Sequence, residues 1–438
     1  MSGTRRGRVR GPAAALVLAV LGCVLAFTGV AAAQEAEAVG GTLSGPEGEP
    51  VAGVVIRVEQ GGQEIGSATS GADGTWLVAV PAPGDYDVKL DAATLPDDVE
   101  LRSSEDATLD AVTIRPGQQR TVLFPLVAPG EGAGSSATPG SGIGPLLAQL
   151  TVSGIKFGAI IAIAAIGLSL IFGTTSLINF AHGELVTIGA VAAFYLNAAA
   201  VGPGWQLIPA TLVAIAVGAL VGAALELWLW RPLRLRGTAR IQLFIISIGL
   251  SLLLRHLILV IYGSRPRPYA DYIIQDTMVL GPIAITPRDL AITLIALAVL
   301  VAVGLMLLYT RLGMAMRAVA ADRDLAASSG VDVSRVILAV WVFGGGLAAL
   351  GGVLFGLSEV VAWDMGFRLL LLMFAAVIVG GLGSAFGAML GGLVIGLVAQ
   401  LSTAYFPVEL QNAWALGVLI LVLLVRPQGI LGRAERVG

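Results

Sequence analysis

The sequence is poor in charged residues and in cysteine. Only 13% of its 438 residues are charged, whereas 56% are hydrophobic, and a soluble globular protein carries charge on about a quarter of its residues. That composition excludes an ordinary soluble fold and indicates a membrane protein. The single cysteine, Cys23, excludes an intrachain disulfide. A net charge of −3, without a long basic cluster, argues against nucleic-acid binding.

The charges that are present are unevenly spread. Residues 34–146 hold 17 of the 29 acidic residues but only 5 of the 26 basic ones. Residues 147–438 hold 12 acidic and 17 basic residues, and they are broken into apolar runs near the roughly 20 residues that a bilayer-crossing helix needs. The chain therefore divides into an acidic segment and a membrane segment.

Residues 1–33 have the pattern of a secretory signal peptide. Four arginines at positions 5, 6, 8 and 10 precede an apolar run from Ala13 to Phe27, and Ala31-Ala32-Ala33 forms a small-residue cleavage site. The alternative is an uncleaved first transmembrane helix, because the apolar run continues to Ala33. Both interpretations predict that the following segment is exported.

Residues 40–127 predict a small antiparallel β-sandwich. Short alternating runs at 51–58, 75–80, 86–90 and 121–126 are separated by turn residues such as Gly61-Gly62 and Asp73-Gly74. The pieces Gly40-Gly41-Thr42, Gly53-Val54-Val55-Ile56, Gly71-Ala72-Asp73-Gly74-Thr75-Trp76 and Pro83-Gly84-Asp85-Tyr86 resemble the carboxypeptidase regulatory-like, prealbumin-type fold. Without His or Cys, the segment predicts a structural or docking module and no enzyme. Residues 128–145, rich in Gly, Ser, Ala and Pro, predict a flexible tether.

Residues 146–438 predict an all-α membrane domain of about eight to nine transmembrane helices. The apolar segments lie at 147–172, 183–201, 207–230, 241–262, 289–309, 336–358, 367–382, 385–403 and 412–425. Nine crossings after an exported sandwich would leave the C-terminus in the cytoplasm.

The arginines support this orientation, because short cytoplasmic loops are enriched in Lys and Arg. The predicted inner loops and tail contain Arg231, Arg234, Arg236, Arg240, Arg311, Arg317, Arg323, Arg335, Arg426, Arg433 and Arg436. One predicted outer loop, residues 263–288, is an exception, since it contains Arg265, Arg267 and Arg288.

The inner loop at residues 310–335 has the composition of a docking element. Small residues recur at helical spacing, and Gly330 follows Ala320-Ala321-Asp322 by about nine residues. The loop resembles the EAA loop with which ABC-transporter permeases contact their ATP-binding subunits, and the alternative is an ordinary solvated loop. The candidate coupling residues are Arg317, Ala320, Ala321, Asp322, Ala326 and Gly330.

Five further pieces resemble the LivH-type branched-chain amino acid permease family of ABC importers. They are residues 167–173, residues 178–184, Arg231-Pro232-Leu233-Arg234, Gly380-Gly381-Leu382-Gly383-Ser384 with Gly387, and residues 426–433. Together they span residues 147–433 in the family's order. The exported sandwich is not part of that family's minimal pattern.

The resemblance implies a non-enzymatic permease in a bacterial cell membrane. It implies as partners two ATP-binding subunits, a paralogous permease and an extracytoplasmic solute-binding protein. ATP would be bound by those partners, and this chain lacks the G-x-x-x-x-G-K-[ST] phosphate loop; no cofactor of its own is expected.

The polar run Asn179, Phe180, His182, Gly183 and Glu184 is a candidate part of the substrate path. Polar groups at membrane depth are costly, so they should face a protein interior or a wet cavity. A helix that restarts near Gly183 would direct its amide groups toward that cavity and suit a carboxylate. The alternative is a polar bridge that packs the core and never contacts substrate.

A second break is predicted at Gly380, Gly381, Gly383 and Ser384. The apolar stretch 367–403 has 37 residues, too many for one helix at about 1.5 Å per residue in a hydrocarbon layer of about 30 Å. Paired breaks point to a translocation path, although close helix packing explains neighbouring glycines such as Gly387 equally well.

Three transport hypotheses remain open from the sequence. Branched-chain amino acids are the default substrate, and urea or short amides are the alternative within the same family. A proton-coupled carrier would need several embedded ionisable groups, and only His182 and Glu184 qualify. Glu226 and Arg255, toward the ends of predicted spans, are expected to reach the interface or to pair with each other.

Overall fold

The computed structural model describes residues 38–432 apart from short gaps. The gaps are 46–48, 83, 97, 102–106, 115–118, 123, 128–142, 199–200, 273–277 and 281–282. The chain divides into a β unit within residues 28–138 and a helical unit that continues to the C-terminus. The predicted signal peptide and residues 128–142 of the predicted tether lie outside the described residues.

The β unit contains two main sheets. Its described strands are β1 (Ala38–Thr42), β2 (Val55–Gln60), β3 (Gln63–Thr69), β4 (Thr75–Ala79), β5 (Gly84–Leu90), β6 (Glu100–Leu101), β7 (Thr108–Ile114), β8 (Gln119–Thr121) and β9 (Leu126–Val127). One sheet has the order β4-β1-β8 and the other β3-β2-β5-β7, while β6 pairs with β9.

A single apolar core lies inside this unit, as the alternation of its strands predicts. Ile56, Val58 and Val88, on the neighbouring strands β2 and β5 of one sheet, are buried together with Trp76 on β4 of the other sheet. The all-antiparallel prediction is wrong for one pair, because β8 runs parallel to β1. Two strands in parallel need a crossover connection, and here the whole of β2 to β7 lies between them.

Two of the predicted turns have the expected geometry. Gly61 and Gly62 both adopt positive φ, 58° and 84°, which a two-residue hairpin turn requires. Asp73 accepts hydrogen bonds from the backbone N–H and the hydroxyl of Thr75, at 3.1 and 2.7 Å. These bonds hold the pKa of the Asp73 carboxyl below its usual value.

The described part of the helical unit contains eleven helices and one hairpin. The helices are α1 (Ile143–Thr175), α2 (His182–Asn197), α3 (Leu207–Leu235), α4 (Arg240–Tyr262), α5 (Pro287–Tyr309), α6 (Arg311–Ala321), α7 (Arg323–Ser328), α8 (Val333–Ser358), α9 (Met365–Gly380), α10 (Ala385–Ser402) and α11 (Gln411–Val425). The hairpin pairs β10 (Met278–Leu280) with β11 (Ile283–Ile285).

Each of the nine predicted apolar segments contains one of these helices. Six of them (α1, α3, α4, α5, α8 and α10) are long and apolar enough to cross a membrane, and α9 and α11 are shorter apolar helices. The sixteen residues of α2 extend only about 24 Å. The all-α membrane fold is confirmed, and the chain is a multi-pass membrane protein.

Helices α1 and α8 form the centre of the bundle. Each has 78% of its most apolar 18-residue window buried, compared with 17% for α4. The two central helices cross with backbone contact, because a Cβ added at Gly167 would lie 2.8 Å from the carbonyl oxygen of Gly344. In hydrocarbon the hydrophobic effect does not drive helices together, and small residues there let two helix backbones approach this closely.

The bundle has two recognisable ends. At the hairpin end, the first turns of α1 meet β11, where the side chain of Gln149 exchanges hydrogen bonds of 2.8 and 3.0 Å with the backbone of Ala284. At the other end α1 finishes, and Gly173 faces Ala320 of α6. This end is here called the coupling end, because Ala320 is one of the candidate coupling residues. Arg317 and its neighbours therefore lie at the opposite end of α1 from the hairpin.

The exceptional arginines of residues 263–288 have structural partners at the hairpin end. Arg267 exchanges backbone hydrogen bonds of 2.9 Å with Val361, and its guanidinium lies 5.7 Å from the ring centre of Tyr262. Nearby, burial raises the pKa of Tyr269 well above its usual value, so the phenol keeps its proton and donates to the carbonyl of Ala190. Packing therefore accounts for Arg267 in a loop predicted to be extracytoplasmic.

Candidate translocation site and coupling segment

The chain turns back into the bundle between α1 and α2. Helix α1 ends at Thr175, yet the ring Nε2 of His182, the first residue of α2, lies 3.1 Å from the carbonyl oxygen of Ala164. Ala164 precedes the end of α1 by eleven residues, or about 16 Å. Residues 176–181, here called the re-entrant segment, have no helical structure and run back alongside α1 into the bundle.

A left-handed residue starts this reversal. Ser176 has φ of +54°, and its N–H still donates to the carbonyl of Phe172 at 2.7 Å, which closes the last turn of α1. Exposure then alternates, with Leu177 and Asn179 buried and Ile178 exposed. One edge of the re-entrant segment therefore faces the core and the other faces the surface of the bundle.

Ser247 of α4 satisfies the non-helical backbone. Its hydroxyl accepts a hydrogen bond from the N–H of Phe180 at 3.2 Å, and it lies 3.1 Å from the carbonyl oxygen of Ile178 and 2.7 Å from that of Phe244 in its own helix. Irregular backbone at membrane depth persists only where protein or water supplies such partners. This residue was missed from the sequence, where a lone serine in an apolar helix gives no distinctive signal.

Asn179 and His182 fix the start of α2. The side-chain oxygen of Asn179 accepts from the N–H of Ala181 at 3.1 Å, and its carbonyl accepts from the N–H of His182 at 3.3 Å. Because a carbonyl can only accept, the His182 Nε2 carries the proton that is donated to Ala164. The Nδ2 of Asn179 and the Nδ1 of His182 are buried, and neither has a hydrogen-bond partner in the described part of the chain.

Glu184 lies one half-turn further into α2 and is fully buried. Its Oε1 accepts a hydrogen bond from the hydroxyl of Ser251 at 3.0 Å, while its Oε2 has no hydrogen-bond partner within the residues that the structure describes. Arg255, His256 and Asp364 lie close enough to interact with its charge. The three polar residues predicted for the path thus share the start of α2, but His182 bonds to α1 whereas Glu184 bonds to α4. Each keeps an atom without a hydrogen-bond partner among the described residues.

Phe180 and Gly183 have packing roles. The ring of Phe180 contacts those of Phe244 and Phe374, with centroids 5.5 and 5.0 Å apart. A Cβ added at Gly183 would lie 2.7 Å from the carbonyl oxygen of Gly366, so α2 and the start of α9 pack backbone to backbone. The predicted polar run is therefore part path candidate and part packing surface.

The second predicted break lies elsewhere. Helix α9 ends at Gly380 and α10 begins at Ala385, with positive φ at Gly381 and Gly383, and Ser384 accepts from the N–H of Gly387 at 3.0 Å. Gly366 and Gly380 are separated by 14 residues of α9, about 21 Å along its axis. The two halves of the predicted substrate-path set therefore occupy opposite ends of α9.

Residues 380–384, here called the glycine loop, lie at the coupling end of the bundle. Gly383 faces Gly173 of α1, which in turn faces Ala320. The C-terminal segment closes over the same place, because the N–H groups of Ile430 and Leu431 donate to the carbonyls of Val379 and Gly380 at 2.8 and 2.9 Å. The C-terminal residues thus cap α9, and this pairing of two sequence motifs was not predicted.

The coupling segment, residues 311–330, is built from two short helices. Asp322 separates α6 from α7 with extended backbone and caps α7 by accepting from the N–H groups of Asp324 and Leu325, at 3.0 and 2.9 Å. Gly330, with φ of +86°, follows α7 in the left-handed conformation that favours glycine at a helix end. The sequence predicted one docking helix, and the extended Asp322 divides it.

One face of the coupling segment is rooted in the bundle and the other is exposed. Met316, Val319 and Ala326 are buried in the main core. The residues on the exposed side are Arg317, Ala318, Ala321, Asp322, Asp324, Leu325 and Gly330, while Ala320 is half-buried. Arg317 also donates to the carbonyl of Leu308 at 3.3 Å.

A buried ion pair lies near this segment. Glu226, at a π-helical turn of α3, pairs with Arg234. The expected alternative pairing of Glu226 with Arg255 is wrong, since Arg255 stacks on the ring of Phe367 at 3.9 Å. Trp230, from the same turn, stacks on Trp341 of α8 with centroids 6.0 Å apart.

Among the described residues, no group of three His, Cys, Asp or Glu side chains could hold a metal ion. The site consists of polar side chains and backbone amides at the start of a broken helix.

Comparison with known proteins identifies the family. Residues 150–425 match the family model described as branched-chain amino acid transport system / permease component. The chain belongs to this family. The match covers more than half of the chain and includes both the re-entrant segment and the coupling segment.

Curated relatives agree with this assignment. The chain is 35% identical over 298 residues to the high-affinity branched-chain amino acid transport system permease protein LivH of Escherichia coli, an alignment that covers 66% of this chain and 96% of the relative. BraD of Pseudomonas aeruginosa is 32% identical with the same coverage. A probable LivH of Methanocaldococcus jannaschii is 29% identical, over 64% and 90% of the two chains. No solved structure gives a significant match.

Proposed function

We propose that this chain is the permease subunit of an ABC importer that carries branched-chain amino acids across the membrane. The names of the bacterial relatives LivH and BraD support the substrate class, and the alignment covers 96% of each of them. The similarity therefore extends over almost the full length of the relatives whose names describe that transport.

The coupling segment is the observation that carries the proposal. It presents an apolar surface, Ala318, Ala321 and Leu325, at one end of the bundle, while its opposite face is anchored in the core. A helix that packs against the core on one face and is exposed on the other suits docking into a groove of another protein. ATP-driven movement of separate ATP-binding subunits would be transmitted through it to α1 and α8.

The remaining parts of the assembly follow from the same proposal. Two ATP-binding subunits would contact the coupling end, a paralogous permease would complete the path within the bilayer, and a solute-binding protein would deliver substrate at the hairpin end. The β unit would lie outside the cytoplasm, exported by the predicted signal peptide, in the cell membrane of a bacterium. The positive-inside distribution of arginines supports that orientation.

Reconstitution with the partner subunits tests the substrate class. We expect ATP-dependent uptake of leucine, isoleucine and valine into proteoliposomes, and no uptake when ATP is replaced by a non-hydrolysable analogue. Radiolabelled urea, offered at the same concentration, serves as the comparison substrate. Uptake of urea without uptake of leucine would contradict the proposal, and so would leucine uptake that follows a proton gradient in the absence of ATP.

A further inference from the structure

The carboxylate of Glu184 has half of its hydrogen-bonding capacity unused in a fully buried position. Its Oε1 is bonded to Ser251, and its Oε2 has no partner among the described residues. A buried carboxylate is costly unless it is paired and hydrogen-bonded. Arg255 and His256 lie close enough to interact with its charge, and so does Asp364. None of them donates a hydrogen bond to Oε2 among the described residues, and Arg255 lies over the ring of Phe367. The geometry therefore leaves one carboxylate oxygen open.

A second unused group lies just before the start of the same helix. Asn179, three residues ahead of His182, has a buried amide Nδ2, a hydrogen-bond donor, with no partner among the described residues. A helix N-terminus and an amide donor attract a carboxylate, whereas Glu184 attracts a cation. An α-amino acid carries both charges on one carbon atom, so its two ends match this pair of features.

Helix α4 is the wall that separates Glu184 from the surface of the bundle. Its buried side chains are confined to one stripe, Leu243, Ser247, Ser251, Ile258 and Tyr262. Ser247 and Ser251 bind the re-entrant segment and Glu184, and the Tyr262 hydroxyl binds the carbonyl of Val361 at 2.9 Å. Most of α4 faces away from the bundle, so a displacement of its middle that breaks the Ser247 and Ser251 hydrogen bonds would uncover Glu184.

We propose that Glu184 binds the ammonium group of the transported amino acid, and that the hydroxyl of Ser251 occupies this place between transport events. The inference rests on the proposed function and adds a residue and a chemical contact to it. An ammonium group offers three donors and a full charge, so it satisfies both carboxylate oxygens where the serine satisfies one. The substrate carboxylate would meet Asn179 and the start of α2.

A photoreactive leucine analogue with a diazirine in its side chain tests the contact in the complete complex. The complex is trapped with ATP and vanadate, irradiated, and digested, and the labelled peptides are identified by mass spectrometry. We expect labels in residues 178–185 and in α4, and a loss of at least tenfold in Glu184→Gln. Labels confined to the glycine loop at residues 380–384, or labels unchanged in Glu184→Gln, would overturn the inference.

Uptake by matched variants separates substrate binding from a structural bridge. Glu184→Gln should lower the maximal rate of leucine uptake at least tenfold, and Glu184→Asp, which keeps the charge, should recover most of it. Equal losses in Glu184→Asp and Glu184→Gln would show that the negative charge is not what uptake requires, and would contradict the proposal.

Glu359→Gln, an exposed carboxylate between α8 and α9, controls for the change of charge. If the unmodified complex imports urea and not leucine, the proposed function fails. If it imports leucine and Glu184→Gln does so equally well, only the present inference fails.

Discussion

At the scale of single residues, the hydroxyl of Ser247 meets two backbone groups that no helix satisfies. It reaches the N–H of Phe180 and the carbonyl of Ile178 from a different helix, at 3.2 and 3.1 Å. A buried backbone group without a partner costs about 1–3 kcal/mol. The conformation of the re-entrant segment therefore depends on a side chain that lies 67 residues or more away in the sequence.

Ser247→Ala should destabilise the permease by about 1–3 kcal/mol, since the N–H of Phe180 loses its partner. The thermal unfolding midpoint in detergent measures this effect. Ser402→Ala is the matched control, because the Ser402 hydroxyl bonds only the carbonyl of Ala399 in its own helix. Equal midpoints for the two variants would show that the re-entrant segment does not need Ser247.

Gly167→Ala should also destabilise the fold, by about 1–3 kcal/mol through overpacking. The added Cβ would lie 2.8 Å from the carbonyl oxygen of Gly344 and 3.1 Å from the His182 ring. Gly249→Ala on α4 is the control, since nothing lies within 4 Å of its added Cβ, and it should cause no loss. Unfolding midpoints compare the pair; a Gly167→Ala midpoint no lower than that of Gly249→Ala would contradict the close crossing of α1 and α8.

The sequence predicted some of these residues and missed others for a physical reason. Asn179, His182 and Glu184 stand out because polar groups are rare at membrane depth. Ser247 and Ser251 do not stand out, since a serine in an apolar helix usually bonds its own preceding turn. Their partners are fixed by how α4 packs on α2, and spacing along one helix carries no information about that packing.

At the scale of elements, the coupling segment has one face in the core and one exposed. Met316, Val319 and Ala326 pack in the cluster that contains Trp341 of α8. The segment and a central helix therefore share one packed core.

Leu325→Asp should weaken the binding of the ATP-binding subunits at least tenfold while the permease still folds. Leu325 is 65% exposed on α7. An aspartate there therefore places a charge on the proposed docking surface, while the charge itself stays in water and leaves the core intact. Co-purification of the tagged subunits gives the measurement. Leu235→Asp, at an 80% exposed leucine of α3, is the control, and an equal loss in both variants would contradict a specific role for the coupling segment.

The two helix breaks show where element-level prediction stops. The length of residues 367–403 correctly predicts two helices, α9 and α10. It does not predict that their connection would lie against Gly173 and beneath the C-terminal residues Ile430 and Leu431. Which end of a bundle a loop occupies depends on the packing of every preceding helix, so the substrate-path role of Gly380 to Ser384 stays a prediction.

At the scale of the whole molecule, the order of apolar segments predicts the membrane fold well. Each of the nine segments contains a helix because hydrocarbon permits almost no other backbone structure. The β unit is also predicted, but the parallel pairing of β1 and β8 is not, because hydrophobic alternation does not specify which strand becomes a neighbour. The exceptional Arg267 is explained only by its contacts with Val361 and Tyr262.

The sidedness of the coupling segment is the most direct test of the account, which requires that segment to lie in the cytoplasm and the β unit outside. Single cysteines are placed at exposed positions, Arg317→Cys in the coupling segment and Glu64→Cys in the β unit, with Cys23, the only native cysteine, changed to serine. A membrane-impermeant maleimide should label the Glu64→Cys variant in intact cells, and the Arg317→Cys variant only after permeabilisation. Labelling of both variants in intact cells would place the coupling segment on the same side as the β unit and contradict the account.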